Sequence, residues 1–193
     1  MGCGASDEKP KTGDEGNKGA GASEEVKVQG EGEQNAAAPA EEANKPPETY
    51  WDKDVHRFCI SDGADHFYSA DENEIPHVQG AKEGISFKVS SVPNGGLVPV
   101  YRYLRKDAND HIYSADHENE CGGLTEAGTE NEQFKCEGLL GYASKEARDD
   151  CKPVFRFCKG ADHVYTQDET EKNAAVEAGA VDEGIAFYAH AAE

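Results

Sequence analysis

An aspartate followed by a histidine occurs at Asp65-His66, Asp110-His111 and Asp162-His163, each time with a tyrosine two residues further on, at Tyr68, Tyr113 and Tyr165. A carboxylate beside an imidazole is the equipment of general acid–base catalysis. In an extended strand, however, adjacent side chains point to opposite faces, so no such pair shares one site. Recurrence also argues against catalysis, because an active site assembles unlike residues once, whereas a fold-building contact is needed once per repeat. The pattern therefore reads first as structural, with the aspartates bonding turn amides and the His and Tyr side chains packed with their polar tips satisfied. A second reading makes His66, Tyr68, His111, Tyr113, His163 and Tyr165 the walls of three similar pockets. Aromatic faces and imidazole donors suit a sugar.

Arg57, Arg102 and Arg156 recur as well, each inside an aromatic and β-branched run, and Glu83, Glu137 and Glu183 are the matching recurrent anions. A charge in apolar surroundings needs a partner, so three structural ion pairs are expected, Arg57 with Glu83, Arg102 with Glu137 and Arg156 with Glu183. A ligand-binding role for the arginines would require an oxygen-rich ligand in each unit. No segment matches the twelve-residue calcium loop, and no phosphate loop, GxSxG elbow, HExxH or kinase signature is present, so neither metal nor cofactor is expected. An enzyme would need an unrecognised mechanism. Beyond Cys3, the five cysteines (Cys59, Cys121, Cys136, Cys151 and Cys158) form neither a CxxC pair nor a zinc-finger spacing. They read as reduced thiols, and Cys59 and Cys158, which hold the same place in two repeats, as small buried side chains. A formal net charge of -20 argues against a nucleic-acid partner, which needs a surplus of Lys and Arg.

These residues fall in three copies of one unit. The first runs Val55-His56-Arg57-Phe58, Asp65-His66-Phe67-Tyr68-Ser69 and Glu83-Gly84-Ile85-Ser86-Phe87. The second runs Val100-Tyr101-Arg102-Tyr103, Asp110-His111-Ile112-Tyr113-Ser114 and Glu137-Gly138-Leu139, and the third Val154-Phe155-Arg156-Phe157, Asp162-His163-Val164-Tyr165-Thr166 and Glu183-Gly184-Ile185-Ala186-Phe187. The arginines recur 45 and then 54 residues apart, because the second copy carries an insertion between Cys121 and Gln133. Within a unit, two short strands form a hairpin. A helix follows, with capping boxes at Ser69-Ala70-Asp71-Glu72 and Thr166-Gln167-Asp168-Glu169 and with Gly179 at a left-handed C-cap. Pro76 limits the first helix to a turn or two. The third strand places Ile85, Phe87 and Val89 on one face by alternation. The expected fold is mainly β with short helices (α+β), with three strand–strand–helix–strand repeats in a pseudo-threefold arrangement. These repeats span about 54–90, 99–143 and 153–190 of a domain over 50–193.

Ahead of that domain, residues 7–48 are Gly, Ala, Glu, Lys, Asn and Pro with hardly an aromatic, an acidic linker that cannot bury enough apolar surface to order itself. As a coil of some 42 residues it would span roughly 35–40 Å. The first six residues, Met-Gly-Cys-Gly-Ala-Ser, fit N-myristoylation of Gly2 once Met1 is removed. A single myristoyl chain binds a membrane only reversibly, with a constant on the order of 10⁴ per molar. The second anchor is expected to be palmitate on Cys3, because residues 1–49 hold 5 Lys against 11 Asp and Glu, and anionic lipid repels such a tail. No hydrophobic stretch has the length of a spanning helix or of a secretory signal. These six residues resemble the dually acylated starts of Src-type kinases and G-protein α subunits.

Over about residues 50–190 the V-Y-R-F, D-H-F-Y-S/T and E-G-I-x-F segments resemble a repeat family of unknown biochemical function, often found at the C-termini of secreted bacterial hydrolases. That resemblance implies a module binding carbohydrate or cell-wall polymer. The combined expectation is a non-catalytic module, lipid-anchored at the cytoplasmic face of a membrane, the plasma membrane in the first instance, with a glycan or protein ligand. A scaffold of the membrane cytoskeleton is the alternative, and an unrecognised hydrolase the third reading.

Overall fold

A computed structural model describes residues 51–60 and 65–192. The acylation motif at Gly2 and Cys3 and the acidic stretch over 7–48 lie outside the described residues. The first repeat comprises β1 (Lys53–Ile60), β2 (Asp65–Ser69), a 3-10 turn (Ile75–His77) and β3 (Gly80–Val89). The second holds β4 (Val98–Arg105), β5 (Asp110–Ser114), α1 (His117–Glu120) and β6 (Phe134–Ala143), and the third β7 (Lys152–Lys159), β8 (Asp162–Thr166), α2 (Glu169–Glu177) and β9 (Val181–Ala189). Each repeat forms its own antiparallel sheet, in the orders β2-β1-β3, β5-β4-β6 and β8-β7-β9. The described part is thus mostly β, and none of its helices is long and apolar enough to cross a membrane.

The chain folds this way because each Asp-His-x-Tyr strand is the edge of its own sheet. One row of such a strand's backbone N–H groups is then left unpaired and bonds to the neighbouring repeats, Tyr68 N–H to the Tyr113 hydroxyl for example, and β2, β5 and β8 pack against one another. Their tyrosines meet ring to edge, with centroids 5.2 Å apart for Tyr68 and Tyr113, 5.3 Å for Tyr113 and Tyr165, and 5.6 Å for Tyr68 and Tyr165. Around them lie Val55, Val100, Val154, Phe87 and Phe187, all buried in one cluster. Gly141 occupies the register position of Phe87 and Phe187, opposite Val100. Side-chain room is gone there, since a Cβ on Gly141 would come within 2.4 Å of Val89 Cγ2. The insertion in the second copy builds a satellite core in which Cys121 and Cys136 pack with Tyr103 and Ile112.

Three local expectations are corrected. Ile85 does not share the inward face of Phe87 and Val89: Val55 pairs with Phe87 but His56 with Ile85, so one extra residue bulges out and turns Ile85 to solvent. The equivalent bulges recur in the other two sheets. No capping box forms at Thr166, because the N-cap of α2 is Asp168, whose carboxylate accepts from the N–H groups of Thr170 and Glu171. Thr166 instead accepts the N–H of Asp168 at 3.0 Å, and Ser69 accepts that of Asp71 at 3.1 Å while donating to Glu74. Finally, Cys59 and Cys158 are only half-buried; among the described residues the fully buried thiols are Cys121 and Cys136. Gly179, with φ 103°, does stand just past α2, where a left-handed residue ends a helix.

Candidate functional site

Alternation along the edge strands sends each Asp toward one neighbouring repeat and each His toward the other. Asp162 accepts the backbone N–H of His66 at 2.9 Å and lies 2.7 Å from its Nδ1. Asp65 holds His111 in the same two-point way, with Nδ1 at 2.6 Å, and Asp110 holds His163, again with Nδ1 at 2.6 Å. The tyrosines close a parallel cycle. Tyr68 Oη donates to the Tyr165 carbonyl at 2.8 Å, Tyr113 Oη donates to that of Tyr68 at 3.0 Å, and Tyr165 Oη accepts the Tyr113 N–H at 2.9 Å. The expected bonding of turn amides by the aspartates is replaced by this contact across repeats. The three aspartates are buried, and their oxygens converge within 4.8 Å of one another.

Arginine joins each ring contact to the surface. Arg57 Nε lies 2.7 Å from Glu83, Arg102 Nε 2.9 Å from Glu137, and Arg156 Nε 2.7 Å from Glu183, the three pairs anticipated from the sequence. Each guanidinium also reaches a second carboxylate on the preceding repeat, Arg57 to Glu171 at 2.9 Å, Arg102 to Glu74 at 2.8 Å and Arg156 to Glu120 at 2.9 Å. The recurrent Glu next approaches the His, at 3.7 Å for Glu83 and His66, 3.4 Å for Glu137 and His111 and 3.5 Å for Glu183 and His163. Three carboxylates thus enclose one arginine and one histidine at each repeat boundary.

Charge balance follows from that enclosure. Burial pulls the His111 imidazole down, but Asp65 and Glu137 outweigh it and hold the imidazole up, at about 9. For His66 the same contest, with Asp162 and Glu83 opposing burial, also ends above the ordinary value. The Arg102 guanidinium holds Glu74 below the usual carboxylate range. Burial pushes the phenols of Tyr68, Tyr113 and Tyr165 well above theirs, so they act as neutral hydrogen-bonding groups. Since these three rings are less than 2% exposed, they lie in the core rather than on pocket walls, and no ligand reaches them. His163 is likewise buried, whereas His66 and His111 keep a small solvent-facing edge.

Open grooves lie beside the arginines instead. One, of about 340 Å³, lies between the first and third repeats and is lined by Arg57, Glu83, Ile85, Lys152, Asp168 and Glu171. Another, of about 350 Å³, lies between the second and first repeats and is lined by Arg102, Glu137, Leu139, Lys53, Asp71 and Glu74. These linings match position for position in the repeat register. Each holds three carboxylates against two cations, with an exposed aliphatic side chain, Ile85 or Leu139, at the edge. At the remaining boundary Val98 stands in the register of Lys53 and Lys152, opposite Ala143 as they are opposite Val89 and Ala189. Sequence reasoning missed Lys53, Lys152 and the helix glutamates Glu74, Glu120 and Glu171. The glutamates' signal was present as a carboxylate five or six residues after Ser69, Ser114 and Thr166, but spacing within one unit does not reveal a partner in another.

A family model described as a domain of unknown function (DUF5648) matches residues 29–134 and again residues 54–190. No curated protein and no solved structure matches the chain.

Proposed function

The chain belongs to this DUF5648 family, and we propose that it is a non-catalytic binding module whose sites are the grooves between its repeats, tethered to the cytoplasmic face of the plasma membrane by acyl chains on Gly2 and Cys3. The observation that carries the reading is the recurrence of the same five charged positions and the same aliphatic edge in grooves at two repeat boundaries. A contact needed only for folding would be satisfied inside the ring; an open polar cleft with an exposed aliphatic edge answers to a ligand. Three carboxylates against two cations disfavour an anionic ligand. A neutral polyhydroxylated chain fits better, its hydroxyls meeting the charged groups and its apolar face meeting Ile85 or Leu139. The repeats stand about a pseudo-threefold axis through the three tyrosines, which the cyclic Asp–His and Arg–Glu contacts support, so two sites on one molecule engage a ligand in two places.

The test is an array of neutral and anionic oligosaccharides probed with the full chain, wild type and Lys53→Ala/Lys152→Ala. Saturable binding to neutral glycans that the double variant weakens supports the reading. Capture of a protein with no glycan signal moves it to a scaffold of the membrane cytoskeleton.

A further inference from the structure

Cys59 is the cross-strand partner of His66, so both side chains lie on the same face of the first sheet. Glu83 is the residue left out of the β1–β3 register, between the Arg57–Gly84 and Phe58–Lys82 pairs, and its carboxylate reaches the same place. Cys59 Sγ, an imidazole nitrogen of His66 and a Glu83 oxygen all lie within 4.8 Å of one another. From this geometry we infer that Cys59, His66 and Glu83 form a binding site for one divalent ion of the zinc type.

His66 Nδ1 is held 2.7 Å from Asp162, which fixes the ring with Nε2 toward the cluster. A carboxylate on the far nitrogen is the usual support of a metal-bound histidine. Nε2 and Glu83 Oε2 stand 3.7 Å apart, too far for a hydrogen bond. Two ligand atoms each about 2.1 Å from one tetrahedral ion lie roughly 3.4 Å apart, so a small closure seats both on a metal. Thiolate with imidazole and carboxylate selects a borderline ion such as zinc over calcium or magnesium, which take oxygen ligands. Binding releases the thiol proton and the Nε2 proton, and thiolate and carboxylate then neutralise the ion; a water completes the fourth position. Arg57 Nε, 2.7 Å from Glu83 Oε2, stays paired with that carboxylate and with Glu171. Cys59 is half-buried and Glu83 a third exposed, which leaves an entry path.

The other repeats supply internal controls. In the second, Leu104 takes the cysteine's place opposite His111. In the third, Cys158 faces His163, but Cys158, His163 and Glu183 do not converge within 4.8 Å as Cys59, His66 and Glu83 do. One ion per chain is expected, at the first repeat.

The full chain, reduced and titrated with cobalt(II), tests this. The expected result is a thiolate-to-cobalt absorption saturating at one equivalent, abolished by Cys59→Ser, retained by Cys158→Ser, and competed away by zinc. Glu83→Gln should weaken binding about tenfold or more. Circular dichroism on the same samples confirms that the half-buried Cys59→Ser variant is folded. Absence of the band, or a band that survives Cys59→Ser, overturns the assignment.

Discussion

Asp65 and His111 lie 46 residues apart in different repeats, yet the Asp65 carboxylate meets Nδ1 of His111 at 2.6 Å and accepts its backbone N–H at 3.3 Å. One buried anion thus fixes both the ring and the strand of the next repeat.

Because this contact favours the imidazolium, stability should fall with rising pH. His111 titrates at about 9 in the folded chain against an ordinary 6.5. Its contribution is therefore complete below about 6.5 and lost as pH rises through about 9. At about 1.4 kcal/mol per pKa unit this amounts to roughly 3–4 kcal/mol. Urea midpoints measured from pH 6 to 10 should decline across that window. His111→Asn, whose amide can donate to Asp65 without titrating, should flatten the decline, and an equally steep profile in the variant would count against the assignment.

Tyr165→Phe removes the hydroxyl that accepts the buried Tyr113 N–H. An unsatisfied buried donor costs about 1–3 kcal/mol. The melting temperature should drop by several degrees, and Tyr68→Phe and Tyr113→Phe should match it, since each hydroxyl serves the preceding repeat in the ring. A drop confined to one of the three would mean that the ring is not closed.

Arg156→Leu strands Glu120 and Glu183, which now share its guanidinium. With 16% of the side chain exposed, the loss should fall near the low end of the range for broken buried pairs, about 3 kcal/mol. Adding Glu183→Leu should restore part of it. A wild-type melt for Arg156→Leu alone would show that the arginine does not hold the repeats together.

Gly2→Ala should release the protein from membranes, and Cys3→Ser should leave weak, exchangeable attachment. Fractionation of cells expressing each variant reads this directly. Persistence of Gly2→Ala with membranes would place the anchor elsewhere.

The repeats, their strands and the three arginine–glutamate pairs were legible in the sequence, because each depends on residues within one unit. Lost to it was everything that passes between units. Asp65 reads as a turn residue until β5 is seen beside β2, and Glu74 has no reading at all until Arg102 arrives from the next copy. Ile85 was misplaced for a different reason: alternation counts residues, and a bulge adds one without a composition signal. Cys59 was assigned to the interior because Cys158 recurs at its place in another repeat, whereas its strand position leaves it half open beside His66.

The central claim is that the two matching grooves take the ligand. Amide chemical-shift mapping of the full chain during titration with short neutral oligosaccharides tests it most directly. The account predicts saturable shifts grouped at Gly84, Ile85 and Asp168 in one groove and at Gly138, Leu139 and Asp71 in the other. Saturable shifts confined to a surface away from both grooves, or none at any concentration, would contradict it.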